Sequence, residues 1–131
     1  MLPTFLLLAA SLIATPPSTV AAMRDHKRVL LISAASDADP RLREQRHIVA
    51  DWTAGAEDRD LAVVAIVGDR VSGAADGADT LRRRHRLSPR GFAVVLIGKD
   101  GGTKLRAARP IPAATLETTI DAMPMRRAGG R

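Results

Sequence analysis

Residues 28–67 read RVLLISAASDADPRLREQRHIVADWTAGAEDRDLAVVAIV, two short apolar runs separated by a charged stretch of helical periodicity. The first run, 28–33, is continuous and bounded by Lys27 and by the small residues Ala34, Ala35 and Ser36, as a strand buried on both faces would be. Asp39 before Pro40 is an N-cap followed by proline at the first helical position. A helix is expected from there to about Gly55, with Leu42, Val49 and Trp52, and Ile48 beside them, on one inward stripe. The second run, 61–67, shows no polar alternation and fits a strand covered on both sides in a parallel sheet. Strand, helix and strand in this order make a right-handed parallel βαβ unit.

The rest of the chain extends that unit. Residues 69–77 are rich in Gly, Ala, Ser and Asp and are expected to form a loop. Residues 78–86, ADTLRRRHR, form a short second helix with Leu81 facing inward. Ser88-Pro89-Arg90-Gly91 is turn chemistry, and 92–97, FAVVLI, is a third buried strand. Asp100-Gly101 within GKDGG is a hairpin signal, so 103–106 should return as an antiparallel strand. A closing helix over 113–123 places Leu116, Ile120 and Met123 on one face and stops at Pro124, leaving a basic, glycine-rich, frayed tail over 126–131. The order βαβαββα, with a parallel unit, an antiparallel hairpin and a final helix, predicts a thioredoxin-like α/β/α sandwich of three layers.

Upstream, residues 1–22 carry no charged side chain, and FLLLAASLIA over 5–14 is followed by Thr15, Pro16, Pro17 and Ser18. This is the layout of an h-region and a helix-breaking c-region, with small residues placed for cleavage after Ala21 or Ala22. The expected organisation is a signal peptide over 1–22 and one domain over 23–131, exported to the periplasm or secreted. Two alternatives stand beside it, a retained anchor and a start at Met23. Against the anchor, an apolar run of roughly ten residues falls short of the roughly twenty needed to span a bilayer.

The chain has no cysteine, which excludes disulfides, thiol nucleophiles, CxxC redox chemistry and cysteine-ligated zinc. Its 20 basic against 14 acidic residues give a net charge of +6, which suits anionic partners, although a solvated arginine-rich surface is the preferred reading of the balance. Trp52 and Phe92 are the only aromatics after the leader, too few for a base-stacking platform, so nucleic acid is not an expected partner. His26, His47 and His85 show no metal-ligand spacing, and no GxSxG turn surrounds Ser36, so no cofactor, metal or triad is expected. The pairs Asp37 and Asp39, and Asp58 and Asp60, read as turn and cap residues rather than acid–base pairs. Gln45 is the one polar residue on the helix stripe. It either faces a pocket at the end of strand one or, as we prefer, braces the loop 34–39. In the run Arg82-Arg83-Arg84-His85-Arg86, consecutive residues wrap the whole helix, so some arginines must lie against neighbouring elements.

The segments FAVVLIGKDGGTKLR over 92–106 and IDAMPMRR over 120–127, with Asp58-Arg59-Asp60-Leu61 and the strand 28–33, resemble the bacterial domain of unknown function 4174 family. The resemblance spans nearly the whole chain after the leader. It implies a fold like thioredoxin and peroxiredoxin and brings no established activity. In that layout a reactive thiol would sit after strand one, where this chain reads Ala34-Ala35-Ser36-Asp37-Ala38-Asp39-Pro40. The candidate pocket at the end of strand one comprises Ser36, Asp37, Asp39, Gln45 and Pro89. The functional reading is a non-catalytic exported binding or interaction module, with an envelope protein as a possible partner. The alternatives are a redox auxiliary or peroxiredoxin-derived enzyme without thiols of its own, and a basic surface binder of anionic polymer.

Overall fold

The computed structural model describes residues 17–130, and the expected h-region lies outside them. A five-stranded sheet runs through the middle of the molecule. It is built from β1 (Arg28–Ala34), β2 (Leu61–Val67), β3 (Arg70–Ser72), β4 (Ala93–Ile97) and β5 (Thr103–Ala107), in the spatial order β3-β2-β1-β4-β5. β1 is parallel to β2, from Arg28 opposite Leu61 to Ala34 opposite Val67, and antiparallel to β4. Every residue of this central strand is buried. The continuous apolar character of the first run is therefore explained by cover on both faces.

Alternate residues of the strands feed two separate cores. Leu30, Ile32, Val94 and Leu96 pack with Leu42 of α1 (Pro40–Asp51) and with Leu116 and Ile120 of α4 (Ala113–Asp121). Val29, Leu31, Ile66 and Val95 pack on the other side with Leu81 of α3 (Ala78–His85), with Leu87 and with Val20. Among the described residues α3, of eight residues, is the one α-helix on the second side, and the segment before β1 packs beside it. Val20 is 7% exposed, its N–H donates to Asp76 Oδ1 at 2.8 Å, and Ser18 O accepts from Ala75 N at 3.1 Å. Packing therefore begins upstream of the boundary expected at Ala22.

Four expectations need correction. The helix expected to run to Gly55 is broken at Trp52, which leaves helical geometry at φ −112° and ψ 23° and separates α1 from α2 (Thr53–Asp58). Its half-buried indole packs on the first core, and the Arg59 guanidinium lies 5.7 Å from its ring centroid. The loop expected over 69–77 contains the edge strand β3, whose Arg70 and Ser72 side chains are exposed and so leave no apolar pattern to read. Gly73 ends it at φ +86°, where any Cβ would collide with the Val63 carbonyl. Finally, α4 stops at Asp121, and Pro124 opens the short helix α5 (Pro124–Arg127) rather than only ending its predecessor. The tail begins anchored, since Arg126 pairs with both Asp58 and Asp121.

The hairpin stands where GKDGG places it. Gly101 N donates to Gly98 O at 3.0 Å and Gly98 N to Gly102 O at 2.9 Å. Gly101 has φ +81°. Asp100 does not share the positive φ, so the loop is the longer type with a single left-handed residue, not the two-residue turn. Leu96 faces Leu105 and Ile97 faces Thr103, so Lys104 is the extra residue of a bulge.

Candidate functional site

β1 delivers the chain to the loop 35–39 beside the end of its parallel neighbour β2, where open α/β sheets commonly place their ligands. Each polar residue expected there has a local partner. Ser36 Oγ accepts from Ala38 N at 3.3 Å, and Ser36 O from Asp39 N at 3.3 Å, a serine turn on the surface. Asp37 is exposed and lies 3.1 Å from Arg70 and 3.7 Å from Arg46. Asp39 is the N-cap of α1: its Oδ1 accepts from Arg41 N at 2.9 Å, and its two oxygens accept from Arg41 Nε and NH2 at 3.0 and 2.8 Å. These hydrogen bonds from the Arg41 side chain hold the Asp39 carboxyl below the ordinary carboxylate range. The positive end of α1, the place where an external anion would otherwise settle, already holds a charged carboxylate.

Gln45 is fully buried and does something different from the expected bracing of 34–39. Its Nε2 donates to Ile111 O at 3.1 Å and its Oε1 accepts from Ile111 N at 2.6 Å. The amide thus pairs with both backbone groups of one residue on the approach to α4, 66 positions away. Pro89 is exposed in the turn after α3 and lines a shallow depression with Asp79, Arg82, Arg83, Arg86 and Leu87. Asp37 lines another with Arg46, Arg70 and Val71. The five residues expected to share a pocket are thus divided between a surface turn, a helix cap, an interior bond and two separate depressions.

The residue that links this region is Arg82, identified in the sequence only as one of a run. It is 7% exposed and reaches the end of the parallel pair, donating to Ser33 Oγ at 3.3 Å, to Ala34 O at 3.2 Å and to Gly68 O. A guanidinium has five donors and no acceptor, so it suits a place where strand-end carbonyls converge. Two further buried arginines carried no signal in the sequence. Arg59 donates to Glu117 at 2.7 Å and to Asp121 at 3.0 and 3.1 Å, tying α2 to α4. Arg28 Nε donates to Met123 Sδ at 3.3 Å and its NH1 to Arg59 O at 2.8 Å. The two aspartates flanking Arg59 go separate ways, Asp58 to Arg126 and Asp60 to Lys99 at 2.9 Å, so they do not form a carboxylate pair.

Among the described residues no group of three or more His, Asp or Glu is gathered as a metal site, and no helix is long and apolar enough to cross a membrane. Among curated proteins none matches the chain. A family model described as Domain of unknown function (DUF4174) matches residues 19–129, beginning one residue before the buried Val20 and ending after α5. The match covers β1–β5 and α1–α5, and the chain belongs to the DUF4174 family.

Proposed function

We propose that this chain is an exported, non-catalytic binding or interaction module with a thioredoxin-like fold. The sheet supports the fold, with β1 between a parallel β2 and an antiparallel β4–β5 hairpin and helical layers on both faces. The observation that carries the functional reading is Asp39. Where the redox members of such a fold hold a thiolate against a helix N-terminus, this chain holds its own carboxylate, paired with Arg41. Arg82 occupies the neighbouring strand-end carbonyls, and no cysteine exists to act from elsewhere.

The uncharged apolar leader supports export to the periplasm or beyond. Because Val20 and Ser18 take part in packing and hydrogen bonding, we place the leader's cleavage upstream of Ser18 rather than after Ala21 or Ala22. A fusion of the full chain to a reporter that is active only outside the cytoplasm tests export, and intact mass of the recovered product locates the cut. Activity of the reporter with a product that retains Val20 is expected. A silent reporter overturns the export reading, and a product beginning at Met23 overturns the placement. For the interaction reading, crosslinking in the envelope followed by capture of the recovered chain should yield one specific protein, competed away by excess untagged chain. Absence of any competed partner would overturn it. The purified chain should show no peroxidase or disulfide-reductase turnover above a buffer blank, because a thioether forms no disulfide and cannot cycle on its own.

A further inference from the structure

The opposite end of β1 opens into a concavity of about 260 Å³ between the segment before the strand, the C-terminal end of α3 and the β4–β5 turn. Four basic side chains line it: Arg24, Lys27, Arg84 and His85. Its walls include Val29 and Ile97, both buried members of the second core. The nearest acid to Arg84 is Asp76, at 3.9 Å, and Asp76 Oδ1 is already engaged by Val20 N. Among the described residues, no ion pair or side-chain hydrogen bond engages Arg24 or Lys27. His85 Nε2 is buried and has no hydrogen-bond partner, a condition that native structures rarely leave unexplained. Burial, with Arg84 and Arg106 nearby, pushes the His85 pKa below its ordinary 6.5, so at neutral pH the ring is uncharged and keeps one N–H to donate.

Positive side chains in surplus over a small apolar-walled hollow define the chemistry of an occupant. A bare inorganic anion would leave the apolar lining of Val20, Ala21, Val29 and Ile97 unused, and a neutral hydrocarbon would leave the cations unanswered. The volume lies below the roughly 300–1,000 Å³ of sites for drug-sized molecules, which limits the occupant to a few carbons. We propose that this cavity binds a short-chain aliphatic carboxylate, its head among Arg24, Lys27 and Arg84 and its hydrocarbon against the apolar lining of Val20, Ala21, Val29 and Ile97. The site is separated from the loop 35–39 by the length of β1, so it stands independently of the interaction reading.

Titration of the chain recovered from cells, followed through backbone amide and histidine ring NMR signals, tests this with hexanoate, hexanol, acetate and inorganic phosphate as probes. Hexanoate should give saturable shifts at Val29, Ile97, Gly98 and His85, with an affinity at least about tenfold above that of each other probe. Arg24→Met and Arg84→Met should each weaken hexanoate about tenfold, while Arg83→Met, an exposed neighbour that does not line the cavity, should leave it unchanged. Lys27→Met replaces either variant should that one fail to fold. The proposal is overturned by the absence of saturable shifts at these positions. It is equally overturned if hexanol matches hexanoate, which means an apolar cleft alone, or if acetate or phosphate does, which means generic attraction to a basic surface. Equal weakening by Arg83→Met would also count against it.

Discussion

At its C-terminal end β1 runs into polar residues that are bonded within the chain, whereas at its N-terminal end it is flanked by basic side chains with few partners within the chain. Asp39 is held by Arg41, Asp37 lies against Arg70, Gln45 is locked to Ile111, and Arg82 gathers Ser33, Ala34 and Gly68. Arg24, Lys27, Arg84 and His85 at the other end surround open space and contact one carboxylate at a distance. The closed end is where a fold of this kind would be searched for chemistry, and there the polar residues serve architecture. The open end has fewer bonds within the chain, and there a ligand could meet the buried, unpartnered His85 Nε2 as well as hydrated cations.

The contrast can be broken most severely at Gln45. Gln45→Leu keeps the volume but strips both partners from Ile111, and two buried backbone groups without partners should lower stability by about 3 kcal/mol in denaturant unfolding. A loss under about 1 kcal/mol would mean that water or a shift of residues 108–112 replaces the amide, and that the closed end is less sealed than its bonds suggest.

A chain beginning at Met23 should be less stable than one beginning at Pro17 by about 2.5 kcal/mol, from the buried Val20 side chain and its bond to Asp76. Equal denaturation midpoints for the two would show that the open end needs no cover from this segment. Arg82→Met keeps a buried side chain of similar length but removes donors from Ser33, Ala34 and Gly68, and should cost about 2 kcal/mol. The loss is moderated because Ala34 O keeps the Gly68 N–H at 3.0 Å and because a buried charge disappears with the arginine.

At the rim of the open end, Gly101→Val forces a β-branched residue to φ +81° and should destabilise by about 1 kcal/mol through backbone strain alone, since the added Cβ would meet nothing closer than Arg24 Cδ at 3.6 Å. An unchanged melting midpoint would show that the turn shifts at no cost. The smallest effect belongs to His85. Its pKa is lowered by burial first, then by Arg84 and Arg106, with Asp76 opposing. The folded state therefore binds fewer protons than the unfolded chain once pH falls below the ordinary 6.5, and stability present above that value declines as pH drops toward the folded-state pKa. His85→Gln should flatten this decline, measured as the difference in melting midpoint between about pH 7.5 and about pH 5. A decline that persists unaltered in the variant would assign it to other groups.

Much of the closed end was legible. Asp39 before Pro40 marked the cap and start of α1, and the stripe Leu42, Val49, Trp52 marked the inward face, because capping and helical periodicity are local properties of the chain. The partner of Gln45 was not legible: the residue that needs its amide lies 66 positions away, and sequence alone suggested only the adjacent loop. The open end was harder still. Arg24, Lys27, Arg84 and His85 follow no motif, and they come together only because the segment before β1 and the end of α3 flank the same strand.

Several determinations needed nothing beyond the order of residues. The missing cysteines settled which chemistry is closed to the chain, the unbroken apolar runs 28–33, 61–67 and 92–97 marked where the inner strands lie, and GKDGG marked where the chain reverses. All three rest on composition or on patterns shorter than one element. The tertiary structure alone decided that Val20 belongs to the core, that β3 exists, that Pro124 begins a helix, and that Arg82 rather than Arg83 or Arg84 points to the strand ends. The physical reason is shared: each depends on which surfaces remain uncovered once the sheet has formed, and a surface of that kind is made by residues far apart in the chain.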